Sequence, residues 1–251
     1  MTDKTFSLEG KIILVTGASS GIGRACAIEC ARAGASVVAT GRDPARLEAT
    51  CDAFPRPCGA YSTSRVADLT VEKDFENLLC ACPAPYDGVV HAAGISALRP
   101  FAFTKPELFE KLLALNTRIP LELTRRLLKK GMIRDGASIV FISSVAGTGS
   151  AAIGQTAYAA SKSALCAAAE VMAIELAYQR TRVNCICPGV VDTPIHASVG
   201  ADAGKLGVAS CPLGRAGRPE EIAHAARYLL SDAAAWITGT RLVVDGGLSL
   251  R

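Results

Sequence analysis

The stretch that decides the fold is a glycine-rich run, Thr16-Gly17-Ala18-Ser19-Ser20-Gly21-Ile22-Gly23. An apolar, β-branched run at 11–15 precedes it and predicts a buried strand, and apolar residues at helical spacing follow it as far as Gly34. The glycines therefore lie in a strand-to-helix turn, where they allow a tight bend and a close approach of backbone N–H groups to a ligand. Because a helix N-terminus carries unpaired N–H donors and partial positive charge, the turn favours phosphate.

The glycine spacing is G-x-x-x-G-x-G rather than the commoner G-x-G-x-x-G. A glycine-rich turn alone also occurs as an ordinary βα connection. The strand before it and the helix after it make a dinucleotide site the favoured interpretation.

Strand and helix patterns alternate along the rest of the chain, which predicts a parallel sheet covered by helices. We expect an α/β fold, a single-domain Rossmann-type doubly wound parallel sheet of about seven strands with helices on both faces, spanning residues 1–251. The aperiodic segment 194–217 interrupts the alternation and is expected to be a substrate lid within that domain. The strands are predicted at 11–15, 35–40, 61–67, 87–91, 137–142, 182–187 and 241–244.

The composition excludes several classes of protein. Half of the 251 residues are hydrophobic and 20% are charged, which predicts a sizeable core. The formal net charge of +4 comes without a concentrated basic patch, so nucleic-acid binding is not expected. No apolar run approaches ~20 residues, which argues against a membrane span. The first residues lack the apolar core of a secretory signal.

The ten cysteines show no paired C-x-x-C spacing, and the three histidines (His91, His196 and His224) are scattered. This pattern argues against a metal site. Several cysteines fall in apolar periodic segments and are expected to be small buried side chains in a reducing compartment. We therefore predict a cytoplasmic location.

The end of the second predicted strand indicates which dinucleotide is bound. A cofactor with a free ribose 2′-hydroxyl usually meets an acidic residue there, but this chain has Arg42. A guanidinium can pair with a 2′-phosphate, so we expect NADP(H), although Asp43 follows and Arg42 could be a solvated surface charge. Asp68, after the third strand, is expected either near the adenine or as a helix cap.

Tyr158 and Lys162 lie four residues apart in an alanine-rich helix and therefore share one helix face. A phenol has a pKa of ~10, and a nearby ammonium is expected to lower it. Such a phenol can protonate a carbonyl oxygen or deprotonate an alcohol. A plain surface pair is the alternative. Ser144 ends the fifth strand, where its hydroxyl could hold a substrate oxygen.

Asn116 lies in an apolar helical stretch that contains Pro120. Because proline has no N–H, it leaves the carbonyl of Asn116 without its helical donor, which predicts a kink and a free acceptor. A water on that acceptor could extend a proton path from Lys162. The alternative is a buried asparagine satisfied by its neighbours.

Together these motifs resemble the short-chain dehydrogenase/reductase family, in the family's order and over almost the whole chain. The matching motifs are T-G-A-S-S-G-I-G at 16–23, Asp68-Leu69, A-A-G at 92–94, Asn116, I-S-S at 142–144, Y-A-A-S-K at 158–162, R-V-N at 182–184, P-G-V-V-D-T at 188–193 and D-G-G at 245–247.

The resemblance implies a role for each matching residue. Tyr158 would be the acid/base, Lys162 would bind the nicotinamide ribose and lower the Tyr158 pKa, Ser144 would orient the substrate oxygen, and Asn116 would anchor a proton-relay water. The residues expected to bind the cofactor are Gly17, Ser19, Ser20, Gly21, Ile22, Gly23, Arg42, Asp68, Leu69, Ala92, Ala93, Gly94, Asn116, Tyr158, Lys162, Pro188, Gly189, Val191 and Thr193.

The chain departs from the family at His91-Ala92, where relatives often have two asparagines. A bracing hydrogen bond is expected to be lost there, with His91 either replacing it or packing as a neutral ring.

The expected substrate is a small ketone or secondary alcohol with an apolar body. Resemblance to 3-oxoacyl-carrier-protein reductases makes a 3-oxoacyl thioester the first candidate, and a hydroxysteroid, a sugar or another small alcohol the alternatives. Basic residues at 125–130 could meet an acyl carrier protein or simply be solvated.

The resemblance also implies a homotetramer (or homodimer) that uses the small-residue face around Ala167 and Val171. A non-catalytic NADP-binding regulatory protein, and a nucleotide-sugar epimerase or dehydratase, are the competing interpretations.

Overall fold

The computed structural model describes residues 5–55, 62–80, 84–150, 152–195 and 208–250. Within them seven parallel strands form one sheet, in the order β3-β2-β1-β4-β5-β6-β7. The predicted Rossmann-type topology is thereby confirmed. The strands are β1 (Ile12–Thr16), β2 (Ser36–Gly41), β3 (Thr63–Val66), β4 (Tyr86–His91), β5 (Ile133–Ile142), β6 (Arg182–Pro188) and β7 (Arg241–Val244).

The described helices cover both faces of the sheet because alternate strand residues point to opposite faces. Ile13 and Val15 of β1 join the core formed with the first and last helices, whereas Ile12 and Leu14 join the core on the other face. The helices are α1 (Gly21–Arg32), α2 (Pro44–Asp52), α3 (Glu72–Leu79), α4 (Pro106–Leu113), α5 (Ile119–Lys129), α6 (Thr156–Glu175) and α7 (Pro219–Leu230).

Two elements differ from the sequence prediction. β5 begins at Ile133, four residues before the predicted start, because its first part is polar and exposed and so lacks the apolar pattern of a buried strand. The helical stretch that contains Asn116 and Pro120, where a kink is expected, is divided into α4 and α5 by a π-helical turn, Ala114–Arg118, which ends one residue short of Pro120. π turns are rare and occur often at functional sites.

The cysteines pack as the sequence predicted. Cys26 and Cys30 on α1, Cys166 on α6, and Cys185 and Cys187 on β6 are buried and free. Burial raises the pKa of Cys26 to about 12, so it remains a thiol. Among the described residues no group of histidine, cysteine or acidic side chains is arranged to hold a metal ion. None of the described helices has the length and apolar character needed to cross a bilayer.

Candidate active site

The glycine-rich turn between β1 and α1 adopts a backbone that other residues would not tolerate. Gly17 has φ +68°, and a Cβ added to it would lie 2.7 Å from the backbone N of Ala93. A Cβ on Gly23 would lie 2.3 Å from the carbonyl oxygen of Gly17. The turn therefore brings the start of α1 against the segment after β4, at the carboxyl edge of the sheet.

The first turn of α1 is arranged to receive an anion. Ser20 is its N-cap residue, but the side chain makes no capping hydrogen bond, and the first turn holds no acidic residue. The N–H donors of the helix start are therefore left for a ligand, and partial positive charge lies with them. This is the geometry that a dinucleotide pyrophosphate requires.

A cavity of about 1110 Å³ opens at this edge of the sheet. It is somewhat larger than a typical site for one small molecule, so it has room for a cofactor and a substrate. Every residue predicted for the site except Asn116 lines this cavity. They are Gly17, Ser19, Ser20, Gly21, Ile22, Gly23, Arg42, Asp68, Leu69, Ala92, Ala93, Gly94, Ser144, Tyr158, Lys162, Pro188, Gly189, Val191 and Thr193.

Two threonines in the cavity wall fit a bound dinucleotide. Thr40 at the end of β2 and Thr193 after β6 each bury a hydroxyl oxygen that has no hydrogen-bond partner among the described residues. Buried hydroxyls are normally paired, so these two are suited to a ligand's polar groups. Thr193 also lies close to Gly21, whose added Cβ would be 3.2 Å from the Thr193 methyl carbon.

The acidic residues near Arg42 are already engaged. Asp43 caps α2, its Oδ1 accepting a hydrogen bond from the Arg46 N–H at 3.0 Å. The Asp68 carboxylate accepts from both the N–H and the hydroxyl of Thr70, which lowers its pKa; the charge of Arg42 is a smaller cause. Asp68 thus stabilises the turn before α3, a role close to the helix cap that was one of its two predicted roles. The charge of Arg42 also acts on its carboxylate.

Tyr158 and Lys162 project from successive turns of α6 into the cavity. The Tyr158 hydroxyl hydrogen-bonds with Ser144 at the end of β5. The Lys162 Nζ donates to the carbonyl oxygen of Ile142 at 2.8 Å. The structure therefore brings together three of the four residues predicted to be catalytic.

The expected fall in the Tyr158 pKa is wrong for this arrangement. Burial raises the pKa of Tyr158, and the hydrogen bond with Ser144 only partly opposes it. The charge of Lys162 is not among the causes of this pKa shift, and its Nζ donates to the Ile142 carbonyl. Burial also lowers the Lys162 pKa to about 8. Tyr158 therefore holds its proton at neutral pH, as a proton donor must.

Asn116 lies behind the cavity wall, in the π turn, and is 1% exposed. Its Oδ1 accepts from the Ile95 N–H at 2.9 Å, and its Nδ2 donates to the Ile95 carbonyl and to the Ser161 hydroxyl, each at 3.0 Å. The side chain is thus satisfied by its neighbours and connects the segment after β4 with α6. The free main-chain acceptor for a water stays a prediction.

Two hydroxyl residues outside the predicted set of catalytic residues position the catalytic helix. Thr117 Oγ1 donates to the carbonyl of Ser161 at 2.7 Å, and Ser143 Oγ donates to the carbonyl of Lys162 at 3.0 Å. Each is adjacent in sequence to a residue that was predicted, Asn116 or Ser144. That adjacency is the only signal that could have identified them, because hydroxyl residues are common in helices and turns.

His91 packs as a neutral ring, the second of its two predicted states. It stacks on Phe141 with ring centroids 4.9 Å apart, and its Nε2 lies 2.8 Å from Thr124 Oγ1. Burial lowers its pKa to about 3. The segment after β4 is held instead by Thr16, whose hydroxyl accepts from the N–H groups of Ala92 and Ala93 at 3.2 and 3.3 Å.

The predicted lid lies largely outside the described residues, which omit 196–207. Its described flanks line the cavity at Ile195 and at Ser210. Its two ends meet at a bridge between Val191 and Gly217, where the Asp192 N–H donates to the Gly217 carbonyl at 2.9 Å. The segment therefore leaves the sheet and returns to it at one point.

The chain is similar to known oxidoreductases over nearly its whole length. A family profile described as Enoyl-(Acyl carrier protein) reductase matches residues 17–249. The chain is 32% identical over 244 residues to the 3-oxoacyl-[acyl-carrier-protein] reductase FabG of Thermotoga maritima, covering 96% of this chain and 98% of the relative. It is 34% identical over 245 residues to the FabG of Escherichia coli, with the same coverage.

Solved structures show the same likeness. A dehydrogenase/reductase from Sinorhizobium meliloti superimposes with a TM-score of 0.89 at 28% identity, covering 98% of this chain and 97% of the other. A short-chain type dehydrogenase/reductase from Mycobacterium ulcerans gives a TM-score of 0.86 at 33% identity, with 98% and 92% covered.

Proposed function

Because the chain belongs to the short-chain dehydrogenase/reductase family, we propose that it is an NADPH-dependent enzyme that reduces a ketone to a secondary alcohol or catalyses the reverse oxidation. The observation that carries the proposal is the meeting of Ser144, Tyr158 and Lys162 on one wall of a cavity whose other wall is the glycine-rich turn. A regulatory protein without turnover would have no need of this arrangement.

In the reductive direction Tyr158 is the general acid. NADPH, when bound, supplies the hydride to the carbonyl carbon. The Tyr158 hydroxyl, which is protonated at neutral pH, donates its proton to the carbonyl oxygen, because that oxygen becomes strongly basic as the hydride arrives. The Ser144 hydroxyl, already paired with Tyr158, is placed to donate a second hydrogen bond to the same oxygen. Two donors aimed at one oxygen stabilise the negative charge that develops there.

Lys162 and Asn116 support this proton transfer by holding the cofactor and by supplying a path for protons. Lys162 would contact the nicotinamide ribose, and with a pKa of about 8 its ammonium can exchange a proton near neutral pH. A Cβ added to Gly94 would lie 3.4 Å from Lys162 Nζ and 3.0 Å from Asn116 Oδ1, so the two side chains flank the same glycine. We propose that a water near Asn116 helps to return a proton to Tyr158 after Tyr158 has protonated the substrate oxygen.

Two features support NADP(H) over NAD(H). Arg42 lines the cavity directly after β2, where a ribose 2′-phosphate would lie. Asp43, the nearest carboxylate in sequence, is turned to the N–H groups of α2 as a helix cap and cannot take the place of the missing acidic residue.

The first substrate candidate is a 3-oxoacyl compound, because the relatives reported above are named 3-oxoacyl-[acyl-carrier-protein] reductases. Hydroxysteroids, sugars and other small alcohols are the alternatives for the reverse reaction. We also propose that the enzyme is a cytoplasmic homotetramer or homodimer. Support for assembly comes from α6, where Val171 of the predicted face is 55% exposed and Ile174, outside the residues predicted for that face, is 78% exposed.

The test is NADPH oxidation with a panel of ketones, comparing the natural enzyme with Tyr158→Phe. The variant removes one hydroxyl and keeps the ring, so we expect NADPH binding to persist while turnover falls by at least about 1,000-fold, at the strong end for a lost acid–base group. A Tyr158→Phe enzyme with normal turnover would show that the acid has been misassigned. Absence of NADPH oxidation across the panel would favour the regulatory alternative.

A further inference from the structure

The half of the cavity beyond Tyr158 differs in character from the cofactor half. The charged side chains that line the cavity in the described part of the chain are Arg42, Asp68 and Lys162. The first two follow β2 and β3, at the adenosine end, and Lys162 is bonded to the Ile142 carbonyl. The described residues around the substrate position are apolar or carry neutral polar groups, among them Leu98, Ile153, Ile195, Ser96, Ser150 and Gln155.

Among the described residues, this wall offers a substrate anion no counter-ion. A carboxylate that enters such a chamber gives up its hydration, and hydroxyl and amide groups replace only part of it. An uncharged ketone loses little and gains apolar contact with Leu98, Ile153 and Ile195. The wall therefore favours uncharged substrates over anionic ones, whatever their shape.

Exposed apolar side chains lie at this end of the cavity and beside it. Ile153, which lines the cavity, is 91% exposed, and Phe101 and Phe103, on a neighbouring segment, are 72% and 75% exposed. The Arg99 N–H donates to the Gly154 carbonyl at 2.9 Å, which joins the segment that carries the two phenylalanines to the loop that carries Ile153. Apolar side chains left in water at a cavity mouth favour a ligand with an apolar body that extends over them.

Three of the four basic residues at 125–130 that could receive an acidic carrier protein are already paired. Arg125 lies 2.6 Å from Glu122, and Lys130 lies 3.3 Å from Glu76. Arg126 pairs with both of those glutamates at 2.7 Å and also with Glu72. Three of the four cations thus face three carboxylates and the exposed Lys129 adds one positive charge, so this surface presents little excess positive charge to steer an acidic partner.

From these features we infer that the substrate is an uncharged, mainly apolar carbonyl compound that enters free in solution, not attached to an acidic carrier protein. The inference rests on the proposed function, since it assigns the substrate class of the same cavity. The inference keeps a 3-oxo group as the reacting group of the substrate but excludes an acyl carrier protein as part of that substrate.

Two matched pairs of probes test it with the intact enzyme and NADPH. The first pair is ethyl acetoacetate and acetoacetate, which differ in charge beside the same ketone. We expect kcat/KM to favour the ester by about 100-fold, in keeping with the cost of an unpaired carboxylate in a chamber of this kind. The second pair is the acetoacetyl thioester of N-acetylcysteamine and the same acyl group on acyl carrier protein. We expect the carrier to raise kcat/KM by less than about threefold at low salt, because steering needs complementary charge.

A variant at the rim tests the same reasoning by gain of function. Ile153→Lys places a cation at the chamber mouth, and Ile153→Gln is the control for polarity without charge. Because Ile153 is 91% exposed, neither change removes core packing. We expect the lysine variant to improve acetoacetate relative to the ester by about tenfold, as a partly desolvated charge pair would, and the glutamine variant to leave the ratio unchanged.

The outcomes separate the inference from the function it rests on. A natural enzyme that prefers acetoacetate, or gains more than about tenfold from the carrier, overturns the inference while the proposed reductase activity stands. Failure of all four probes, and of the wider ketone panel, to oxidise NADPH refutes the proposed function, and the inference with it.

Discussion

Replacing Arg42 by alanine should change which dinucleotide the enzyme uses, with little effect on the chemistry. Arg42 follows β2, lines the cavity and is exposed, so its removal leaves the core intact. Among the described residues, its charge contributes to lowering the Asp68 pKa, and the two Thr70 hydrogen bonds that chiefly cause that lowering remain in the variant.

The size of the effect follows from the hydrogen bonds a guanidinium can make to a 2′-phosphate. Each charge-assisted bond contributes about 1.5–3 kcal/mol, and exposure to solvent reduces this. We therefore expect a total of about 1.4–2.8 kcal/mol, which is about a 10- to 100-fold rise in the KM for NADPH. The KM for NADH, which lacks the phosphate, should change by less than about threefold.

The assay is steady-state ketone reduction with each dinucleotide in turn, at fixed ionic strength. Arg46→Ala is the matched control, since it also removes an arginine but one that pairs with Asp43 at 3.3 Å on α2. Arg42→Lys should fall between the natural enzyme and alanine, because an ammonium keeps the charge without the planar fork. Equal losses with NADPH and NADH, or the same selective loss in Arg46→Ala, would refute the assignment of NADP(H).

Three further predictions concern the site. Lys162→Met should abolish activity yet raise the melting temperature at pH 7. Burial lowers the Lys162 pKa from 10.5 to about 8, so holding this cation costs the folded state about 3 kcal/mol of stability. The difference in melting temperature between the natural enzyme and the variant, measured by thermal denaturation, should therefore disappear as the pH rises from 8 to 10.5. Gly17→Ala should weaken NADPH binding and destabilise the fold by about 2 kcal/mol or more, because φ is +68° and the new Cβ meets the backbone of Ala93; unchanged binding by fluorescence titration would contradict this geometry. Asn116→Ala should lower kcat more than it raises KM, since the segment at Ile95 loses both of its side-chain bonds, and a purely KM effect would count against a positioning role.

The parts of the site that the sequence predicts are those set by short-range geometry. The strand, the glycine-rich turn and the helix around Gly17 lie within about twenty residues, and their spacing alone places them at the sheet edge. The interval from Tyr158 to Lys162 guarantees one helix face. The parallel sheet then brings the ends of β1, β4, β5 and β6 together, whatever the loops between them contain.

What the sequence could not supply depends on neighbours distant in the chain. Burial raises the Tyr158 pKa, and the Lys162 ammonium donates to the Ile142 carbonyl; the spacing of Tyr158 and Lys162 reveals neither. The charge at 125–130 looked available, but Arg126 is paired with Glu72 and Glu76, about fifty residues earlier. The π turn at Ala114–Arg118 shows only as a proline in a helical stretch.

The bridge between Val191 and Gly217 has a consequence for how such an enzyme diversifies. Since the ends of the intervening stretch are fastened to each other, and the entropy of closing a longer loop grows only slowly, we expect its length to tolerate change while β6 and α7 keep their places. Such a change has to spare Thr193, which lines the cavity, and Cys211 and Leu213, which both contact the Gly246 carbonyl. Grafting a relative's stretch between Thr193 and Cys211 should therefore transfer the relative's preference among carbonyl compounds while the hydride-transfer residues stay in place.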